Sequence, residues 1–229
     1  VAYTQLQRLV DYVGDGKPLT DRGNLKLVDG KALVALLETA DRFDEKIGDR
    51  VFKTRSSADL AGVDLIFQMA LEAKILTRKG KKLLPGPNAD LIDDHLAALY
   101  GAWLVLLHTI GPTQHRYRNE RYGWDWFAEE LDASLPFVLV DLYRHGDIPI
   151  DEIIEDAWGN LLDVFDLEDL SADRLKFHQG LVDMSLRRAL DVLGDLGSVR
   201  VEDVTETPTR YGGTDRTGGV AGLTPLGKW

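Results

Sequence analysis

One segment constrains the fold more than any other: residues 56–86, SSADLAGVDLIFQMALEAKILTRKGKKLLPG. Leu60, Val63, Ile66, Phe67, Met69, Ala70 and Ala73 recur at helical spacing as a broad apolar face, and Ser56 or Ser57 with Asp59 close behind supplies a start signal. The apolar exit Ile75-Leu76 leads into Thr77, a turn closed by Gly80, and a returning Lys82-Leu83-Leu84 stopped by Pro85-Gly86. Two short extended runs around a four-residue turn read as a hairpin, with Gly80 able to take the positive φ that such a turn requires. The spacing predicts a helix over 57–74 and a hairpin over 75–84.

Two more helices are expected upstream. TQLQRLVDYVG places Leu6, Leu9, Val10 and Val13 on one stripe, with Thr4 as cap and Gly14 as terminator. LKLVDGKALVALLETA reads as a short extended piece and a helix from about Asp29, its N-cap, with Leu33, Leu36 and Leu37 inward. DRFDEKIGDRVFKTR is a charged connector. The resulting order over residues 4–86, three helices and a hairpin with LTxxG at its start, resembles a winged-helix domain. That resemblance implies a recognition helix at 57–74 and a wing at 75–84. The stretch KPLTDRGNLKLVDGKALVALL is also similar to proteins of high-GC (actinobacterial) bacteria, a likeness that implies no activity.

ADLIDDHLAALYGAWLVLLHTIG is too apolar for a helix with one wet side, and the expectation is a shared core element between two lobes. Beyond it the plan repeats. WFAEELDASLPFVLVDLYRHG is a helix pair or a helix kinked at Pro136, and IPIDEIIEDAWGNLLDVF is a helix with Pro149 near its start. The helix capped by Ser171 has Phe177, Leu181, Met184, Leu186, Ala189, Leu190 and Leu193 as inward candidates, and a hairpin with a Gly-rich tip follows. SSADL and LSADRL open the two helices that feed hairpins, and LTxxGK occurs in both hairpin regions, while LTDRGN at 19–24 lies between the first two helices. The expected fold is mainly α with small β-hairpins, α+β overall. It has a winged-helix-like lobe at 1–88, an apolar joining helix at 89–111, and an acidic winged-helix-like lobe at 112–229.

Net charge is −11 and unevenly placed. Residues 1–146 carry −2, residues 147–206 carry −11 and residues 207–229 carry +2. The acidic second half repels nucleic acid, whereas the first can carry a local basic face. The chain has no Cys, which removes disulfides and thiolate metal sites and predicts a reducing cytoplasm. No secretory signal opens it, and no apolar run is long enough to span a bilayer.

Catalytic chemistry finds little support in the spacing. His95 beside Asp93 and Asp94 marks a helix start, and no HExxH, EF-hand or phosphate-loop order is present. No cofactor, metal site or catalytic residue is predicted. Glu152, Glu155 and Asp156 share one helical face and read as a solvated acidic surface or a contact for a basic partner. The basic set Lys53, Arg55, Lys74, Arg78, Lys79, Lys81 and Lys82 crowds the first wing and the start of its helix, where it suits a phosphate backbone or an acidic partner. Against DNA, the helix itself offers Asp59, Asp64 and Glu72 with only Gln68 and Lys74 to touch a base. Arg116, Tyr117, Arg118, Arg121, Tyr122 and Trp124 interleave cations with rings, which suits single-stranded nucleic acid or a protein interface. The expectation is a noncatalytic interaction or regulatory protein that binds a protein partner or itself, with DNA binding through the first wing as the alternative and a hydrolase or metal enzyme third.

Overall fold

The computed structural model describes residues 1–47, 50–117, 125–167, 169–209 and 214–229. The chain divides into two compact units, Val1–Ile110 and Gly111–Trp229. Helices dominate and the strands form small antiparallel sheets, an α+β architecture.

The first unit runs α1 (Ala2–Val13), β1 (Lys17–Pro18), α2 (Leu27–Leu37), β2 (Glu45–Ile47), β3 (Arg50–Phe52), α3 (Ala61–Glu72), β4 (Leu76–Lys79), β5 (Lys82–Pro85) and α4 (His95–Val105). Leu6, Leu9 and Val13 of α1 are buried, as are Leu33 and Leu37 of α2 and Val63, Ile66 and Phe67 of α3. Each such side chain removed from water contributes roughly 2 kcal/mol before conformational entropy is set against it. Leu36, expected inside, is 38% exposed. The sheet has the order β1-β5-β4. Gly80 turns the β4–β5 hairpin at φ 60 with nothing near the place of a Cβ, so backbone conformation alone selects glycine there. α4 is capped by Asp94, whose carboxylate accepts from the Leu96 and Ala97 N–H groups at 3.0 and 3.1 Å. It packs on α1 and α3 and continues as a π-helical segment, Leu106–Ile110.

Several start signals act elsewhere than expected. α1 begins at Ala2 with Thr4 already inside it, and α2 begins at Leu27 with Asp29 in its first turn. Ser56 and Asp59 form a capping box, but on a separate 3-10 turn, Ser57–Asp59. The chain then changes direction at Leu60, which is fully buried, and α3 starts only at Ala61. Its first N–H groups are satisfied by a distant residue, Asp41, which accepts from Gly62 and Val63 at 3.0 and 2.9 Å. The charged connector between α2 and α3 contains β2 and β3, a two-stranded sheet of its own.

The second unit runs α5 (Pro112–Tyr117), α6 (Asp125–His145), β6 (Ile148–Pro149), α7 (Ile150–Val164), α8 (Ala172–Asp195), β7 (Val199–Pro208) and β8 (Thr214–Leu223). Pro136 lies inside the single helix α6, where its ring is exposed. Ser171 caps α8 by accepting from the Arg174 N–H at 3.4 Å. Leu186, Ala189, Leu190 and Leu193 point inward as expected, joined by Val182, while Phe177 and Met184 are 56% and 42% exposed. The sheet order is β6-β8-β7.

The two units therefore repeat one path: helix, two-residue strand, helix, helix, hairpin, with the short strand paired to the returning one. The registers agree residue by residue. Lys17 and Pro18 face Leu83 and Lys82, and Ile148 and Pro149 face Ala221 and Val220. Each short strand ends in Pro on a sheet edge, where the missing N–H removes no ladder bond. The LTxxG spelling is not the repeat. At 19–24 the Thr20 carbonyl accepts from Gly23 at 2.9 Å, at 76–81 the letters span a strand and its hairpin turn, and at 223–228 the Thr224 hydroxyl accepts from Gly227 at 3.0 Å.

Candidate functional site

The basic residues of the first hairpin are brought together only in part. Lys79 and Lys82 are directly opposite in the β4–β5 register and Lys81 adjoins the turn, so three lysines meet at one tip. Like charges placed directly across a strand pair repel. Lys81 relieves some of this by pairing with Asp21 at 2.5 Å, although both side chains remain largely exposed. Arg78 lies back along the unit, its guanidinium 5.4 Å from the centre of the Phe67 ring, a cation-π contact that anchors the strand to α3. Lys74 holds φ 58 at the end of α3 and is exposed. Lys53 and Arg55 lie apart from the tip, beyond β3, where the Arg55 N–H is bound by Asp59 at 2.7 Å.

α3 is mostly covered within its unit, with Gly62, Leu65, Gln68 and Leu71 half-buried. Only Ala61 and Glu72 on it are exposed, and Asp64 is 8% exposed with Gln68 donating to it at 3.3 Å. α1 and α2 cover it, and so do α4 and the π-helical segment after it. The apolar character of α4, with Ala98 and Ala102 fully buried, is what allows it to lie there.

Of the interleaved aromatic and cationic residues, Arg118, Arg121, Tyr122 and Trp124 lie outside the described residues, as do the side chains of Arg116 and Tyr117. His95 stacks on Tyr3 with ring centres 4.0 Å apart. Among the described residues no group of three or more His, Asp or Glu side chains is placed to hold a metal ion. No helix among them is long and apolar enough to cross a membrane.

The second unit contains a feature that linear spacing does not reveal. α6 and α7 flank a groove of about 500 Å³. Its apolar lining is Phe137, Val138, Ile148, Pro149, Ile153 and Ala157, and its carboxylates are Asp141, Asp147, Glu152 and Asp156. The contributions of α6, from Ser134 through Asp141 to His145, recur every three to four residues, so they form one stripe roughly 16 Å long at 1.5 Å per residue. Phe137 is 72% exposed at its margin. Asp147 is held by Arg200 at 2.5 Å, whereas Asp141, Glu152 and Asp156 make no ion pair among the described residues. Glu152 and Asp156 were legible as one acidic face; the facing stripe on α6 was not, because nothing in the sequence sets α6 beside α7.

The described arginines of the second hairpin, Arg200 and Arg216, are paired with carboxylates of their own unit. Arg216 is bonded to Asp191 of α8 and Arg200 to Asp147 and to the Leu223 carbonyl at 3.0 Å. Arg187, 6% exposed, reaches Asp151 at 2.5 Å, Asp183 at 2.7 Å and the Gly218 carbonyl at 2.6 Å, tying α7, α8 and β8 together. At Gly219, φ 94, a Cβ would meet Val204 at 2.7 Å and Ile150 at 3.1 Å, so the hairpin presses on α7 at a point only glycine permits. Asp132, 6% exposed, caps α5 by accepting from Thr113 and Gln114 at 2.8 Å each. Burial pushes its carboxyl up to about 6 despite those two donors. No family model, curated protein or solved structure matches the chain.

Proposed function

We propose that this chain is a noncatalytic interaction or regulatory protein of the cytoplasm, built from two winged-helix-like lobes that dock protein rather than DNA. The repeated path of helix, short strand, helix, helix and hairpin supports the lobe assignment. The observation that carries the functional reading is the burial of α3, which leaves Ala61 and Glu72 as its only exposed residues. A winged helix that reads a groove needs that helix bare and polar. In the other lobe, the outward side of α8 presents Phe177 and Met184, apolar groups that suit a protein partner better than a phosphate backbone.

Fluorescence anisotropy with a labelled DNA duplex tests this reading, and no saturable binding at physiological salt is expected. Salt-sensitive submicromolar binding that disappears in a Lys79→Ala, Lys81→Ala, Lys82→Ala variant overturns it. That result would favour the second reading, DNA contact through the first wing, for which the lysine-against-lysine register at the hairpin tip is the supporting observation.

A further inference from the structure

Charge is divided between the two units as sharply as structure is. Residues 1–110 carry 15 Lys and Arg against 15 Asp and Glu, net zero, whereas residues 111–229 carry 12 against 23, so the whole net charge of −11 lies in the second unit. Within the neutral unit the positive charge is concentrated. Lys74, Arg78, Lys79, Lys81 and Lys82 fall between Glu72 and Asp90 with no carboxylate among them, and the β4–β5 turn at their centre is open around Gly80. Arg78 is engaged with Phe67 and Lys81 with Asp21. Lys79 and Lys82 are left directly across the strand pair, exposed and without an ion pair among the described residues. Nothing within the unit offsets their mutual repulsion. The α6–α7 groove has the opposite imbalance: Asp141, Glu152 and Asp156 line it without an ion pair, and its described lining includes neither Lys nor Arg.

We propose that the α6–α7 groove receives the β4–β5 tip of a second copy of this chain, with Lys79 and Lys82 against Glu152 and Asp156. The inference rests on the protein-docking reading above and names the partner. The two spacings agree. Residues opposite each other in an antiparallel pair have Cα atoms about 4.5–5.5 Å apart, and residues one turn apart on a helix have Cβ atoms about 5–6 Å apart. Asp141 adds a third negative charge from the α6 side of the groove. The lysine methylenes lie along Phe137, Val138 and Ile153 while their ammonium groups reach the carboxylates, and the exposed Phe137 ring at the margin attracts a cation in its own right. Gly80 presents no side chain to obstruct entry. The same charges select the geometry: two acidic units repel, so groove does not meet groove, whereas the neutral unit of one copy approaches the acidic unit of the next. The contact is heterologous, since tip and groove are different surfaces, so it builds either a closed ring or an open chain. A hairpin tip buries little area, which makes the contact weak and concentration-dependent.

Sedimentation of the full chain over a concentration series reaching about 200 µM tests the contact. At about 100 mM salt the average mass is expected to rise with concentration, and at about 500 mM to return toward that of one chain. Two charge-reversed variants are then compared: Glu152→Lys with Asp156→Lys in the groove, and Lys79→Glu with Lys82→Glu at the tip. Each alone is expected to remain monomeric. Their equimolar mixture is expected to associate again, because it pairs the unaltered tip of one variant with the unaltered groove of the other, and reversed tip with reversed groove. If either reversal unfolds the chain by circular dichroism, the neutral pairs Glu152→Gln with Asp156→Asn and Lys79→Gln with Lys82→Gln replace them, with association expected to weaken at least about tenfold. A wild-type chain that stays monomeric throughout, an association indifferent to both variants, or a mixture of folded variants that fails to associate overturns the inference. A monomeric chain that also leaves DNA unbound sinks the named partner alone, and salt-sensitive DNA binding with self-association intact sinks the docking reading's choice of protein over DNA, so the two fail separately.

Discussion

The two units follow the same path and use charge in opposite ways. In the first, the hairpin is short, its tip carries Lys79, Lys81 and Lys82, and Arg78 alone leans back onto the core. In the second, the hairpin strands are ten residues each, and both described arginines are bonded to carboxylates of the same unit. The third helices differ in the same sense. Lys74 and Gly197 end α3 and α8 with positive φ, and Asp64 and Arg187 stand the same distance before those residues, both nearly buried. One backbone plan thus tolerates either sign at a buried site, provided that partners are supplied. The length of the hairpin decides how many partners it requires: a long ribbon must be fastened to its helices, whereas a short one needs only a turn.

The largest expected effect concerns that fastening. Arg187→Met should lower the stability of the second unit by about 3 kcal/mol, because the Gly218 carbonyl loses its donor and two carboxylates lose their cation. Hydrogen exchange read by mass spectrometry should show faster opening of α8 and β8 with residues 1–110 unchanged. Equal acceleration in both units would break the contrast.

Asp132 provides a pH test of comparable size. Its folded pKa, about 6, lies above the ordinary value of 3.8, so the folded state keeps a proton that the unfolded chain releases. Its contribution is therefore greatest below about pH 4, declines as pH rises through about 6, and is constant above that, a total of about 3 kcal/mol. Urea unfolding at pH 4.5 and pH 7 should show this slope in the wild type and lose it in Asp132→Asn. A slope that persists in the variant assigns the titration elsewhere.

In the first unit the most sensitive polar position is a cap. Asp41→Ala leaves the Gly62 and Val63 N–H groups without their acceptor and should cost about 1–2 kcal/mol in chemical denaturation, whereas Ser56→Ala, acting on the 3-10 turn, should leave α3 itself formed by circular dichroism. The smallest effect is expected at the tip of the first hairpin. Lys81→Ala removes an ion pair between exposed partners and should change stability by less than about 0.5 kcal/mol. A larger loss there would mean that the tip is structural after all.

Local chemistry predicted much of the fold. The stripe of Leu6, Leu9 and Val13, the positive-φ Gly14, the helix running into a hairpin at Gly80, Pro149 at the start of α7 and Ser171 as a cap all depend on neighbours within a few residues. The misreadings have a common cause. Ser56 and Asp59 carry a sound capping signal, but burial of Leu60 turns the chain before α3 begins, and the cap comes from Asp41 across the unit. Phe177 and Met184 have the residue type of a core and the position of a surface, since residue type does not say how far along α8 its neighbours extend.

The sequence by itself determined where the chain must be helical, where it must turn, and that its acid lies in the second half, because period, glycine, proline and charge act over short distances. Tertiary structure alone decided that α4 covers α3, that α6 lies beside α7 with a groove between them, and that Arg200 and Arg216 of the second hairpin pair with Asp147 and Asp191. Each of these is a relation between segments far apart in the chain, and the free energy that selects it is the burial and pairing of side chains that do not meet until the chain has folded.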